Sequence, residues 1–139
     1  MKLGKVVGER VLTYGPKGRQ RIIVRVGTPR RVDPRTWLCA FQIAGTRSSR
    51  VDAAYGVDAL QALQVAFEGI RFHLARQRIR ATWVGGEKGD PGFPQMVPAF
   101  GLVFANRIAR LIAREEKAFV REVLRKRREA RSREIQQKR

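Results

Sequence analysis

Cysteine and histidine each occur once in this chain, as Cys39 and His73. A lone cysteine excludes an internal disulfide, a Cys-rich tetrahedral metal site and a secreted disulfide scaffold, and it fits a reducing, cytoplasmic setting. One histidine cannot complete a metal site, so neither a metal nor a cofactor is expected. Long apolar runs are missing as well. None reaches the roughly 20 residues that span a bilayer, and the opening MKLGKVVGERV has charge without a continuous apolar stretch, so we expect no transmembrane segment and no export signal. Acids are scarce, with 12 Asp and Glu against 30 Lys and Arg.

That imbalance gives a net charge of +18. Such a charge attracts polyanions, which makes the expected partner nucleic acid or an acidic protein surface. Arginine supplies most of the excess, and its planar guanidinium suits bidentate pairing with phosphate or carboxylate. The 43% of hydrophobic residues excludes a natively disordered chain. At 139 residues one core is the natural solution, so we expect a single α+β domain over 1–124 followed by a basic tail over 125–139.

The first half reads as strands. Ile22, Val24 and Val26 alternate with Ile23 and Arg25, and the stretch from Val6 to Tyr14 is extended in character, so the two form a hairpin across Gly15–Gly18. Trp37, Cys39, Phe41 and Ile43 mark the inward face of a third strand. Between them, 28–36 contains Pro29 and Pro34 and reads as an exposed loop. A weaker fourth strand runs over 50–55.

Two helices follow. Asp58 and Gln61 are spaced as an N-cap and its N3 partner, and Leu60, Leu63, Phe67, Ile70 and Leu74 then form one stripe on a helix to about Arg78. Leu63, Phe67 and Ile70 are expected to bury against Trp37, Phe41 and Val24. The Gly- and Pro-rich segment 82–98 holds Trp83, Phe93 and Met96, and is read as an ordered loop. From Leu102 a second helix carries an apolar band of Ile108, Leu111, Ile112, Phe119, Val120, Val123 and Leu124. Beyond Leu124 the chain has six Arg and two Lys against two Glu, with Glu122–Lys126 and Glu129–Arg133 at the spacing that extends helix into solvent.

The candidate anion-binding residues are Arg121, Arg125, Lys126, Arg127, Arg128, Arg131 and Arg133, which can neutralise phosphates along a helix surface. No homeodomain, zinc-finger, RRM or KH signature accompanies them. The second helix is amphipathic and basic, but membrane-surface binding is disfavoured because its apolar band lacks an interfacial Trp and is wanted as core. The loop Gly85–Phe93 is no phosphate cradle, since Lys88 is followed by Gly89 and not by Ser or Thr. His73 reads as a packed boundary residue and Cys39 as a buried, protonated thiol, so no catalytic residue is assigned. Asp52, Glu68, Glu87 and Asp90 remain as acids that a carboxylate-based hydrolase would use.

AYGVDALQAL, at 54–63, and WVGGEKGDPGFP, at 83–94, give the chain a further feature: over roughly Val6 to Leu124 it resembles a family of small bacterial proteins known only as a domain of unknown function. The resemblance implies no activity, cofactor or site residue. The expected architecture is α+β: a three- or four-stranded antiparallel meander covered on one face by two helices, with a basic C-terminal helical extension. The expected function is a non-enzymatic module that contacts nucleic acid through its Arg-rich surface and tail. A protein-partner module of the immunity, antitoxin or phage-defence kind is the alternative, and a carboxylate-based hydrolase the second.

Overall fold

A computed structural model describes residues 1–47, 49–98 and 100–137, and the chain divides into two compact units, Met1–Met96 and Val97–Arg139. In the first unit, β1 (Val6–Tyr14) and β2 (Gln20–Gly27) form the expected hairpin, joined by a single 3-10 turn at Pro16–Gly18. Pro16 presets φ for the turn, and Gly15, Lys17 and Gly18 take the positive φ values that complete the reversal. The register sets Leu12 against Ile22 and Arg10 against Val24.

The segment read as a loop holds a strand. β3 (Arg30–Asp33) pairs with the start of β4 (Thr36–Ala44). Both prolines fall outside this ladder, Pro29 just before β3 and Pro34 in the turn after it. The turn is closed by Asp33, whose Oδ1 accepts the Arg35 N–H at 2.8 Å. That hydrogen bond is the main reason the Asp33 carboxyl sits below the usual carboxylate range. All four β3 residues are exposed, so no apolar alternation marks the strand in the sequence.

β4 is the central strand. Its second half pairs with β2, with Ile43 opposite Val24, and its other edge pairs with β5 (Val51–Gly56), with Cys39 opposite Ala54. A two-residue strand, β6 (Thr82–Trp83), extends the sheet beyond β1. Among the described residues the sheet therefore has six antiparallel strands, not three or four. The extra two are short edge strands, fixed by the neighbour they pair with and not by their own side chains.

Helix α1 (Ala59–Arg76) opens as expected: Asp58 Oδ1 accepts the Gln61 N–H at 2.7 Å, and Gln61 Oε1 accepts the N–H of Val57. The buried face is Ala62, Ala66, Ile70 and Leu74, at successive spacings of four. Leu60, placed in the stripe from sequence, is 72% exposed. Backbone proximity explains the rotation. A Cβ on Gly56 would lie 2.4 Å from the Ala62 nitrogen, and one on Gly69 would lie 3.1 Å from the Phe41 ring. The helix thus lies close on β5 and β4, where alanine fits and leucine does not. Ile70, Phe41 and Val24 are buried together, while Leu63, Phe67 and Trp37 are partly buried against them.

In this unit the helical cover is α1 alone, supplemented by Phe93 and Ala81, which join the core cluster. The expected second cover, α2 (Leu102–Gln137), belongs to the second unit and has no buried residue. Its apolar band is not core: Phe119 is 67% exposed, and Leu111, Ile112, Val120 and Leu124 are also exposed. The helix runs without a break through Leu124 and Arg125 to Gln137. Of the expected tail, Lys138 and Arg139 lie outside the described residues. No helix among the described residues is long and apolar enough to cross a membrane.

Candidate nucleic-acid interface

The seven cations singled out from sequence all lie exposed on α2, but helix geometry does not put them on one face. At 3.6 residues per turn, Arg121, Arg125 and Arg128 share a side, Arg127 and Arg131 lie round to one flank, and Lys126 and Arg133 lie round to the other. Several are engaged locally. Arg125 Nη1 lies 3.1 Å from Glu129 Oε1, and Lys126 Nζ lies 2.6 Å from Glu122 Oε1. Arg121 Nε donates to the Lys117 carbonyl at 3.2 Å. The Lys126 ammonium, through its hydrogen bond first and its charge second, holds the Glu122 carboxyl below the usual range. Glu122 in turn raises the Lys126 amine.

The side shared by Arg121, Arg125 and Arg128 continues toward the N-terminus. Arg107, Arg110, Arg114, Lys117, Arg121, Arg125 and Arg128 follow at spacings of three, four, three, four, four and three. Those spacings confine all seven to an arc of roughly 80° over about 30 Å of helix. None of the helix's glutamates, Glu115, Glu116, Glu122, Glu129 and Glu134, occupies that arc. Among the described residues no ion pair engages Arg107, Arg110, Arg114, Lys117 or Arg128, and the member of the row that is paired is Arg125, with Glu129. The first four members are not among the cations expected from sequence, because they are dispersed among apolar residues whereas charge is dense after Leu124. The same three-and-four spacing that revealed the apolar band would have found them.

The first unit offers less. His73 Nε2 lies 3.4 Å from Asp52 Oδ2, and Arg50 Nη2 lies 3.0 Å from Asp52 Oδ1. The three line a crevice of about 30 Å³ with Phe41, Ile43 and Gln77. It has room for about one water, and among the described residues its lining includes no hydroxyl or thiol nucleophile. Cys39 is fully buried, with its thiol pushed up by desolvation. Among the described residues no three His, Cys, Asp or Glu side chains gather to hold a metal. Of the four acids named from sequence, Asp90 serves the loop, accepting the Gly92 N–H at 2.7 Å.

The Gly-rich loop uses its own donors. Gly86 N–H reaches the Trp83 carbonyl, Asp90 N–H the Glu87 carbonyl, and Gly89 N–H the Thr82 hydroxyl. Amides committed in this way cannot converge on an anion. The loop is held to the sheet by Arg10, whose guanidinium lies 5.1 Å from the Trp83 ring and 4.7 Å from the Phe93 ring and donates to the Gly92 carbonyl.

No curated protein and no solved structure matches the chain. One family model does, over residues 8–95. The matched span stays inside the first unit and ends before α2, so it is shorter than the resemblance read from sequence. It includes the sheet, α1 and the Gly-rich loop, and covers more than half of the 139 residues. The chain therefore belongs to the family described as Domain of unknown function (DUF6968).

Proposed function

We propose that this protein is a nucleic-acid-binding module whose contact surface is the cationic row of α2. The observation that carries the reading is the continuity of that row: seven cations on one side of a single helix, unbroken by any acid. Phosphates repeat along a duplex, so a straight row of cations can neutralise several at once, and it releases their counterions without reading sequence. The contact is electrostatic and sequence-tolerant, since no side-chain set for base recognition accompanies it.

The test compares two triple variants of equal charge change, titrated against one fluorescent duplex at several salt concentrations. Arg114→Ala/Arg121→Ala/Arg128→Ala removes three members of the row. Arg127→Ala/Arg131→Ala/Arg133→Ala removes three cations off it. Each lost phosphate contact flattens the log affinity against log salt slope by roughly 0.9, so the first variant is expected to flatten it by about 2 to 3 and the second by much less. Equal slopes for the two variants would overturn the row as the contact surface. Absence of duplex binding by the folded full chain at low salt would overturn the function itself.

A further inference from the structure

β6 pairs with β1 only at Leu12 and Thr13. Over 8–11 no strand among the described residues takes up the edge of β1 that faces away from β2. Val84 would continue β6 along that edge, but the Trp83 carbonyl accepts the Gly86 N–H and the chain turns into the Gly-rich loop, leaving Val84 82% exposed. The open stretch faces solvent, with Gly8 and Glu9 exposed. Its outward backbone groups are satisfied by water, and only another extended backbone can match them in register.

A cavity of about 330 Å³ lies against the same stretch, reaching from residues 7–10 to Val24, Val26, Leu63, Phe67 and Phe93. Gly8 leaves it open, since a Cβ there would meet nothing within 4 Å. Arg10 stands at its wall, stacked on Trp83 and Phe93, and among the described residues no carboxylate pairs with it. The acid in the lining, Glu9, is already held by Arg25 at 2.7 Å. Gly8 and Arg10 are two apart and therefore share a face of the sheet. We infer that an extended segment of another protein adds a strand to β1 over 8–11, in line with β6, with a large apolar side chain in the cavity beside Gly8 and an acid opposite Arg10. Backbone pairing supplies affinity and the cavity supplies selectivity, and the spacing of Gly8 and Arg10 sets the apolar residue and the acid two positions apart in the added strand. A second copy fits the edge less well, because it brings another chain of +18 against it.

Nucleic acid has no amide backbone to offer this edge, so the site is separate from the cationic row and is tested apart from it. Random dodecapeptides displayed on phage are selected against nuclease-treated full chain at about 0.15 M salt, which screens attraction by net charge alone. The expected enrichment is an acid and a large apolar residue two positions apart. A synthetic peptide of the enriched sequence is then titrated by fluorescence anisotropy. Gly8→Leu, which puts its own side chain into the cavity, is expected to weaken binding at least about tenfold, with urea unfolding followed by Trp fluorescence as the check that it stays folded. Arg114→Ala/Arg121→Ala/Arg128→Ala is expected to leave it unchanged. Methylating the peptide nitrogens one at a time is expected to abolish binding at alternate positions, because every second N–H of a strand faces the same neighbour; this readout needs no variant of the chain. No enrichment of that spacing, or a peptide indifferent to Gly8→Leu, would overturn the site. Loss in the triple variant would overturn it by placing the peptide on the cationic row. A methylation scan without the alternation would overturn the added strand. A dimer of the chain alone that Gly8→Leu dissolves would give the edge to a second copy instead.

Discussion

The two units use apolar residues in opposite ways. In Met1–Met96 the large side chains converge: Leu12, Ile22, Val24, Cys39, Phe41 and Ile70 are buried on one another, and the alanines of α1 let a helix close over them. In Val97–Arg139 a comparable number of large apolar side chains is strung along one helix, and none is buried. Composition alone does not separate the two cases. What separates them is whether the chain returns. β4 has partners on both edges and a helix on one face, because turns at Asp33–Thr36 and beyond Ala44 bring the chain back repeatedly. α2 has 36 residues and no turn, so its apolar face can be satisfied only from outside its own unit. The matched family span of 8–95 falls wholly on the first side of this divide.

The contrast breaks most visibly at aromatic residues. Phe41→Ala empties a buried site and is expected to lower stability by about 3 to 5 kcal/mol. Phe119→Ala is expected to leave the unfolding of the first unit unchanged. Both tryptophans, Trp37 and Trp83, lie in the first unit, so urea unfolding followed by Trp fluorescence reports that unit alone. Equal losses for the two variants would mean that Phe119 contributes to the first unit's core.

A smaller effect is expected from Gly56→Ala. The added methyl would lie 2.4 Å from the Ala62 nitrogen and 2.9 Å from the Gln61 carbonyl carbon, and backbone cannot swing aside as a side chain does. Overpacking of this kind costs about 1 to 3 kcal/mol. A neutral result in the same urea titration would show that α1 does not depend on lying so close to β5. Below it comes Asp58→Ala, which removes the acceptor for the Gln61 N–H and is expected to cost about 0.5 to 2 kcal/mol. Asp58→Ser should recover most of that loss, since serine also caps.

Legibility in the sequence followed how local each determinant is. β1, β2, β4 and the start of α1 were readable because alternation and capping are contained within a few residues. β3 and β6 were not, since four exposed residues and a two-residue pair become strands only when a neighbouring edge is present. The buried face of α1 is turned by part of a turn from the leucine stripe. Leu60, Leu63, Phe67, Ile70, Leu74 and Ala62, Ala66, Ile70, Leu74 both satisfy helical periodicity, and only the closeness of Gly56 and Gly69 to their neighbours decides for the alanines. The meeting of His73 with Asp52 depends on α1 crossing β5, which no spacing along the chain encodes. On α2 the dense tail charges were plain, whereas the cationic row emerges only when the spacing is followed back to Arg107.

The smallest effect sharpens the contrast at a single exposed ion pair on α2. Glu122 and Lys126 lie 2.6 Å apart at i,i+4, with the carboxyl lowered from its ordinary 4.5 and the amine raised from its ordinary 10.5. A lowered carboxyl contributes stability that is present above its unfolded value and is lost as pH falls through the folded value. A raised amine contributes stability that is present below its unfolded value and is lost as pH rises through the folded one. The pair therefore supports helix on a plateau between the two ordinary values and fades at both ends. Other glutamates also titrate, so the informative quantity is the difference in helical circular dichroism between wild type and Glu122→Gln, followed from acid to alkaline pH in moderate urea. That difference is expected to be small and flat across neutral pH and to vanish in acid, because the wild-type carboxyl then carries no charge either. High salt should shrink it at neutral pH, since both side chains are in solvent. The Trp fluorescence of the first unit should show no matching difference at any pH. A difference that persists undiminished in acid would assign the effect of Glu122→Gln to side-chain packing rather than to its pairing with Lys126.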